Sequence, residues 1–578
     1  MEKYLYLIDK KCLLLAGILL IMFSSCSEDV LKEVPLDFLA PEVNSYNTLA
    51  GIKQGINGLH FGVRDRFFAG RATSGTWTGN KYKQVLNCSL GTDVAYHGEV
   101  PGGNIQSTNY KIEFTSTNVS LSGLWADFYL TIQEANVLLR GINALDKDKW
   151  ASDAQKNAYL AEAMFFRAFV YNYVVMLYGD APLVTEALSS AKTDFVRDPK
   201  ADIYKLMEED LTFAAANLPE PGKEEAPGRI TQGAAWHYLS EVYLNQSKFQ
   251  LAVDAASKVI DGYHYALMTK RFGSTIDWFG SGDVYLDLFA YNNQNLPENT
   301  EAIWVMQYEP LVTGGGRYNE EQWGPAYFRM GNTPDGKVAF RGEYVNGKYT
   351  GYDDTLGRPV ATARPTSYAA YYIWRSDWNN DIRNAKHNIK RNFYYDSPGS
   401  IYDKKKIDFR LYPPGTRDPI RDTCQYIFPF FMKNSSPMQH FTEPAMSGHG
   451  ESDKDKYAIR LAETLLLRAE AYVDLGKFDL AAADINKIRN RANATPVLPA
   501  AVNLDYILDE RARELYSEEC RLITLRRMGK LVQRTRQYCD NPVFPGCNIQ
   551  DYNVLLPIPQ SQIDLNINAE MQQNPGYN

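Results

Sequence analysis

The chain has 578 residues, with 69 acidic and 61 basic side chains and a formal net charge of -8. A nucleic-acid partner requires a basic face that neutralises phosphates, so this acidic balance argues against that class of function. The length is sufficient to bury a large hydrophobic core, whether in one unit or in several domains.

Residues 1–25 have the pattern of an export signal. Two lysines precede an apolar run from Leu13 to Phe23, which ends at Ser24-Ser25-Cys26. Such a run of roughly ten residues is typical of a signal peptide, whereas a membrane span needs about 20. The cysteine after two small residues resembles the lipobox of bacterial lipoproteins. We therefore expect Cys26 to be lipidated and residues 26–45 to form a tether; an ordinary secretory signal with a chance cysteine is the alternative.

Two helical segments far apart in the chain share one residue pattern. Residues 239–260 (LSEVYLNQSKFQLAVDAASKVI) align with residues 468–489 (RAEAYVDLGKFDLAAADINKIR). Each predicts a helix, a tight turn and a second helix, with small alanines where the helices cross, as in tetratricopeptide repeats. Two unrelated helical hairpins are the weaker alternative. The aligned pairs include Glu241 with Glu470, Tyr243 with Tyr472, Phe249 with Phe478 and Leu251 with Leu480.

Further helices are predicted at residues 125–145, 158–178, 203–217 and 506–536. The second of these is apolar nearly all round, which places it in the middle of a bundle. The sequence thus predicts a mainly α fold with a tetratricopeptide-like helical-repeat scaffold. Its predicted parts are residues 46–262, residues 457–536 and a tail, residues 537–578, packed on the scaffold.

Residues 263–456 differ in character from the rest of the chain. Gly, Pro, Asn and Asp are dense, and only short β-type runs occur, such as residues 302–308 and 426–432. We expect a large irregular, loop-rich insertion with short strands, packed on one face of the scaffold. Long loops on a rigid scaffold are where binding usually resides.

Several segments, in this order, resemble the SusD/RagB family of surface glycan-binding lipoproteins of Bacteroidetes. The resemblance covers essentially the whole chain, and the order of the segments is more specific than any one of them. They are residues 47–58 (NTLAGIKQGING), 163–185 (AMFFRAFVYNYVVMLYGDAPLVT), 301–308 (EAIWVMQY), 457–472 (YAIRLAETLLLRAEAY), 507–529 (ILDERARELYSEECRLITLRRMG) and 555–577 (LLPIPQSQIDLNINAEMQQNPGY).

The resemblance implies a SusD-like fold and a non-catalytic lipoprotein of the outer membrane, facing the cell surface. Such a protein captures oligosaccharide and closes as a lid over a SusC-like TonB-dependent transporter. Three other functions stay open: a peptide-capturing member of the same family, a surface glycoside hydrolase and a periplasmic repeat scaffold.

Motifs of catalysis and metal binding are missing from the sequence. It has no HExxH, Walker loop, GxSxG elbow or CxxC pair, and no two histidines have metal-ligand spacing. We therefore expect no enzyme activity, cofactor or metal. Charged residues near the C-terminus are expected to form structural ion pairs between helices, and Asp381 is expected to pair with Arg383. Those C-terminal residues are Glu510, Arg511, Glu514 and Arg521.

Glycan-binding proteins cover the flat C–H faces of sugar rings with aromatic side chains and meet hydroxyl groups with polar ones. The 39 tyrosines and 9 tryptophans exceed what a core needs, so part of them should be exposed. For Trp323, in a glycine-rich loop, burial and exposure are equally open, whereas the helical spacing of Trp374 and Trp378 favours core packing. The candidates are Trp278, Trp323, Tyr327, Trp374 and Trp378 from the insertion, with Trp77, Asp93, Tyr96 and His97 from the N-terminal third.

Two cysteines, Cys539 and Cys547, flank a Pro/Gly loop. They could close a small disulfide bridge or remain as two free thiols, and the sequence leaves both alternatives open.

Overall fold

The computed structural model of the protein describes most of the chain. The predicted signal peptide, Cys26, the tether, Trp77 and Trp278 lie outside the described residues. Those described are 46–68, 89–99, 109–273, 276, 282–309, 312, 314–316, 318–319, 322–342, 344–345, 348–349, 355–437 and 451–577.

Helices dominate the described residues and strands are short, which confirms the mainly α prediction. The α-helices are α1 Leu49–Val63, α2 Tyr110–Glu113, α3 Val119–Ala144, α4 Asp153–Tyr178, α5 Lys200–Asn217, α6 Gln232–Asn245, α7 Phe249–Gly262, α8 Val284–Leu288, α9 Ser367–Ala370, α10 Pro419–Arg421, α11 Leu461–Asp474, α12 Phe478–Arg491, α13 Leu504–Leu515, α14 Arg521–Arg527, α15 Leu531–Tyr538 and α16 Gln560–Leu565. The strands are β1 Ala95–His97, β2 Ala302–Met306, β3 Tyr318–Asn319, β4 Tyr344–Val345, β5 Lys348–Tyr349, β6 Ala363–Pro365, β7 Ile389–Lys390, β8 Phe430–Phe431, β9 Glu451–Ser452 and β10 Lys456–Arg460.

The long helices form one stacked array. Along the chain, α3 packs on α4, α4 on α5, α5 on α6 and α6 on α7. Helix α7 packs directly on α11, which in turn packs on α12. Helix α4 is long and apolar enough to cross a membrane, but most of it is buried inside the array. The two repeats recognised in the sequence are therefore neighbours in space, although the insertion separates them along the chain.

The turns inside the two repeats have the same geometry. Ser247 and Gly476 both adopt positive φ, 59° and 70°. In each turn the backbone N–H of the following lysine, Lys248 or Lys477, donates to the carbonyl of the tyrosine five residues before it. A third copy lies between α14 and α15, where Gly529 has φ 65°. This third turn corrects the expectation for residues 506–536: the structure has three helices there, with a further break at Ser517, φ 66°.

An arginine from the third copy joins the first two. The Arg527 guanidinium bonds Glu470 at 2.8 Å and Glu241 at 3.0 Å. These two glutamates are the pair that the sequence alignment of the repeats matched. The two repeats are thus held together by one guanidinium between two equivalent carboxylates.

The insertion is attached to the scaffold through a short sheet and a buried ionic network. Strand β2 pairs antiparallel with β10, which leads directly into α11. Glu514, fully buried, bonds Arg460 and Arg383 at 3.0 Å each and also binds Arg491. Arg383 belongs to the insertion, so the network fixes the insertion against α13.

The charged residues predicted to be structural are all paired. Arg383 bonds Asp381 at 2.7 Å, as expected, and Glu510 at 2.9 Å. Arg511 pairs with Glu463 and Glu519. Burial by itself raises the pKa of Glu510, but three neighbouring arginines outweigh it and lower that pKa to about 2. The carboxylate therefore stays ionised and serves packing between helices.

Candidate functional site

Most of the predicted ligand-binding side chains that the structure describes are in the core. The indole of Trp323 is 3 % exposed and packs edge-on against Tyr516. Tyr327 is buried and donates its hydroxyl to the Gly357 carbonyl at 2.5 Å. A buried ring offers no face to a sugar, so these two residues are removed from the candidate site.

The N-terminal candidates are also structural. Asp93 is fully buried and bonds both Arg521 and Arg534 at 2.8 Å. Burial by itself would raise the pKa of Asp93, but these two arginines outweigh it and lower that pKa. Tyr96 and His97 lie in β1, which pairs with β6, and both are buried. This loop therefore contributes contacts to the core and no exposed ligand group.

Trp374 and Trp378 have opposite environments. Trp374 is 1 % exposed, and its indole N–H donates to the Ala369 carbonyl at 2.8 Å, in line with the core packing favoured by the sequence. Trp378, for which the spacing predicted the same, is 43 % exposed. The reason is local: residues 372–377 form a 3₁₀-helix, with about three residues per turn, so a residue four positions on points to a different side.

Trp378 belongs to an exposed aromatic surface. Of the seven exposed aromatic side chains in the described part of the chain, four lie between residues 371 and 394: Tyr371, Tyr372, Trp378 and Tyr394. The rings of Tyr371 and Trp378 are nearly parallel, with centroids 6.5 Å apart and an interplanar angle of 10°. We call these two rings with Arg391 the aromatic platform.

Arg391 holds the platform in place. Its guanidinium carbon lies 4.7 Å from the Trp378 ring centroid and 5.5 Å from that of Tyr371. One terminal nitrogen donates to the Ala370 carbonyl at 2.8 Å and to Asn384 Oδ1 at 2.5 Å. Burial lowers the pKa of Arg391 to about 10, so the side chain remains cationic at neutral pH.

The segment that leads into the platform, residues 366–377, is held by side-chain contacts at both of its ends. Thr366 caps α9 and donates its hydroxyl to the Asp93 carbonyl at 2.6 Å, and Asp540 accepts from Ser367. At the far end, Asp377 bonds Arg489 at 2.7 Å. A preorganised site loses less entropy when a ligand binds.

The platform borders an open cavity of about 600 Å³, within the size range of small-molecule sites. Leu286, Ile389 and Met432 give the cavity an apolar floor. The polar side chains around it are amides, cations and a phenol, which can donate to sugar hydroxyl groups. They are Asn379, Lys386, His387, Lys390, Arg391, Asn392 and Tyr394, with the hydroxyl of Thr355; the amide of Asn384 also lines the cavity but is already bonded to the Trp378 carbonyl and to Arg391.

A second cavity, of about 370 Å³, lies between α3 and α16. Its aromatic rings are already engaged: Trp125 is buried, and the Tyr129 hydroxyl donates to the Pro182 carbonyl at 2.9 Å. Two of its amides, Gln133 and Asn566, bond backbone groups of the neighbouring loop. The cavity at the platform is therefore the better candidate.

Carboxylates are scarce at the platform cavity. Among the described residues lining it, none is an aspartate or a glutamate. The nearby Asp283 bonds His387 at 2.6 Å and Asn388 at 2.9 Å, and it caps α8. Within the described residues, no group of three or more His, Cys, Asp or Glu side chains is arranged to hold a metal ion.

Comparison with known proteins gives the class of this fold. A family model described as "SusD family" matches residues 300–577, and one described as "Starch-binding associating with outer membrane" matches residues 72–244. Among solved structures, a "Laminarin binding SusD-like protein" superposes with a TM-score of 0.64 at 22 % identity, covering 92 % of this chain and all of that one. A SusD homolog from Bacteroides thetaiotaomicron superposes with a TM-score of 0.66 at 19 % identity, covering 92 % and 98 %. The helical array with its loop-rich insertion is the SusD-like fold.

Curated relatives agree over most of the chain. A SusD-like protein of Formosa agariphila is 29 % identical, covering 97 % of this chain and 98 % of its own. The starch-binding protein SusD of Bacteroides thetaiotaomicron is 28 % identical, covering 75 % of each chain. The two family models and these relatives together identify the chain as SusD-like.

Proposed function

We propose that the protein captures oligosaccharide at the aromatic platform and does not cleave it. The observation that carries the proposal is the pair of exposed, nearly parallel rings of Tyr371 and Trp378 beside an open cavity edged with amides. Exposed rings of this kind suit the flat C–H faces of sugars. The names of relatives that bind starch or laminarin support a glycan as the ligand.

Two observations support binding without hydrolysis. Glycoside hydrolases place two carboxylates about 5–10 Å apart across the scissile bond, and the described lining of this cavity holds no carboxylate. The nearby Asp377 and Asp283 are bound by other side chains. Burial by itself would raise the pKa of each of these carboxyls, but the hydrogen bonds that they accept outweigh burial and lower it, so neither is protonated to serve as a general acid near neutral pH.

The test combines binding and product formation. Native affinity electrophoresis against a panel of polysaccharides should show retardation by at least one, and peptides run in parallel should have no effect. Incubation of the retarding polysaccharide with the protein should release no reducing ends. Reducing ends accumulating with time would overturn the non-catalytic assignment, and retardation by none of the polysaccharides would overturn glycan capture.

We further propose that Cys26 anchors the protein in the outer membrane, facing the cell surface, and that a SusC-like TonB-dependent transporter receives the captured glycan. A family description that includes association with the outer membrane supports this location. Cys26→Ala should move the protein from the membrane to the soluble fraction, and protease added to intact cells should degrade the wild type. An unchanged membrane fraction would contradict the lipid anchor.

Exposed apolar side chains on the stacked repeats support a protein partner. Leu251 in α7 is 46 % exposed, and Phe478 and Leu480 in α12 are 43 % and 47 % exposed. Stacked repeats offer broad rigid surfaces for such contacts. Leu251→Asp with Leu480→Asp should abolish co-purification of a TonB-dependent transporter from outer membranes and leave glycan binding intact. Unchanged co-purification would remove this face from the contact.

A further inference from the structure

The charged side chains described in the lining of the platform cavity are basic, whereas the whole protein has a negative net charge. The chain carries a net charge of -8, yet Lys386, Lys390, Arg391 and His387 line this cavity and no described lining residue is acidic. His387 bonds Asp283, which lies outside the cavity lining, at 2.6 Å. A basic lining on an acidic protein concentrates positive potential at the opening, where it attracts anions.

Arg391 retains hydrogen-bonding capacity toward the cavity. One terminal nitrogen is committed to Ala370 and Asn384, and the other makes only a 3.4 Å contact with the Asn384 carbonyl. Among the described residues, its buried Nε has no hydrogen-bond partner. Because Nε is buried and one terminal nitrogen is committed, the second terminal nitrogen is left to donate a charge-assisted hydrogen bond to a carboxylate or sulfate oxygen of a ligand.

The ring and charge positions combine into one recognition pattern. Trp378 and Arg391 are in contact, with 4.7 Å from guanidinium carbon to ring centroid, so a sugar over the ring lies beside the cation. Lys386 is exposed at the same cavity. A neutral sugar uses the rings and the amides and can accept hydrogen bonds from these cations, but it carries no charge for them to pair with.

We propose that the platform cavity selects acidic saccharides, whose uronate carboxylates or sulfate esters pair with Arg391 and Lys386. This inference rests on the proposed glycan capture and adds the class of glycan. Carboxylate and sulfate share the chemistry that the cations recognise, so both are tested as separate probes.

The experiment measures affinity for matched charged and neutral probes. Calorimetry compares a hexagalacturonate with its fully methyl-esterified form, and a sulfated galactan oligosaccharide with its desulfated form. Affinity electrophoresis covers a wider set of neutral and acidic polysaccharides. We expect at least one acidic probe to bind at least tenfold more tightly than its neutral partner, with the difference shrinking as salt screens the charges.

Variants connect the preference to the cavity. Lys386→Gln should weaken binding of the acidic probe roughly threefold, as for one exposed ion pair, and leave neutral probes unchanged. Lys258→Gln, an exposed lysine on α7, is the matched control and should change neither. Arg391→Lys keeps the charge but loses the hydrogen bonds that fix the guanidinium beside the cavity, and should reduce the preference while the melting temperature shows whether the platform is still folded.

The outcomes separate the two proposals. Binding of neutral saccharides with no preference for acidic ones overturns the acidic selectivity and leaves glycan capture standing. Equal losses in Lys386→Gln and Lys258→Gln also overturn the selectivity, because the effect would then come from overall charge. No binding of any saccharide overturns both.

Discussion

Replacing Trp378 by alanine tests the platform most directly. The side chain is 43 % exposed, which for a tryptophan corresponds to about 100 Å² of apolar area. Covering about half of that area with one sugar face is worth about 1.3 kcal/mol at 25 cal/mol per Å². We therefore expect Trp378→Ala to weaken glycan binding about tenfold.

The assay is calorimetry at constant salt with the polysaccharide that retards the wild type. Trp378→Phe keeps a smaller ring and should lose only about threefold, because part of the apolar area remains. Phe478→Ala is the matched control, since Phe478 is also 43 % exposed but lies on α12 of the scaffold. The melting temperature of each variant shows that the fold is retained.

The reasoning is refuted if Trp378→Ala binds within twofold of the wild type. An equal loss in Phe478→Ala would refute it as well, because any exposed ring would then produce the effect. In either case the ligand site would have to lie elsewhere.

Three further predictions concern the scaffold. Glu514→Gln removes the charge that three buried arginines share, so we expect a loss of about 3–5 kcal/mol in the free energy of unfolding by denaturant; a loss below about 1 kcal/mol would contradict the network's role. Burial lowers the pKa of His237 to about 3, below the unfolded value of about 6.5. As pH falls, His237 therefore binds a proton in the unfolded state that it does not bind in the folded state. From pH 7 to pH 5, the wild type should lose about 2 kcal/mol more of its free energy of unfolding than His237→Gln. Equal pH dependence in the two proteins would argue against a buried neutral His237. The Sγ atoms of Cys539 and Cys547 are 2.8 Å apart and both side chains are buried; a disulfide-exchange oxidant should join them, lowering the mass by about 2 Da and the number of thiols that titrate in the unfolded protein by two, and an unchanged number of thiols after oxidation would contradict this.

The helical repeats were predictable because their signal is local and repeated. The aligned residues around Tyr243 and Tyr472 specify the same hairpin, and the structure stacks the two hairpins side by side. Their aligned glutamates, Glu241 and Glu470, meet at one arginine. The turn at Gly529 was missed because its neighbours keep the turn geometry but few of the repeat's other residues.

The site was only partly predictable because the burial of one residue depends on distant parts of the chain. Trp323 lies in a glycine-rich loop for which the sequence left burial and exposure equally open, and in the structure Tyr516, just after α13, packs against its buried ring. The sequence predicted Asp93 to be a carboxylate in a binding loop, but in the structure it forms ion pairs with Arg521 and Arg534. These partners lie far along the chain from Trp323 and Asp93, so no local sequence pattern could reveal them.

The sequence by itself determined the helical repeats, the loop-rich insertion and the family, since these depend on periodicity and on the order of segments. The tertiary structure decided which aromatic rings face outward. Trp374 and Trp378 have helical spacing, but the 3₁₀ geometry of residues 372–377 turns one ring into the core and leaves the other beside Tyr371. Arg391, 13 residues after Trp378, completes the platform only because the chain returns to the same place.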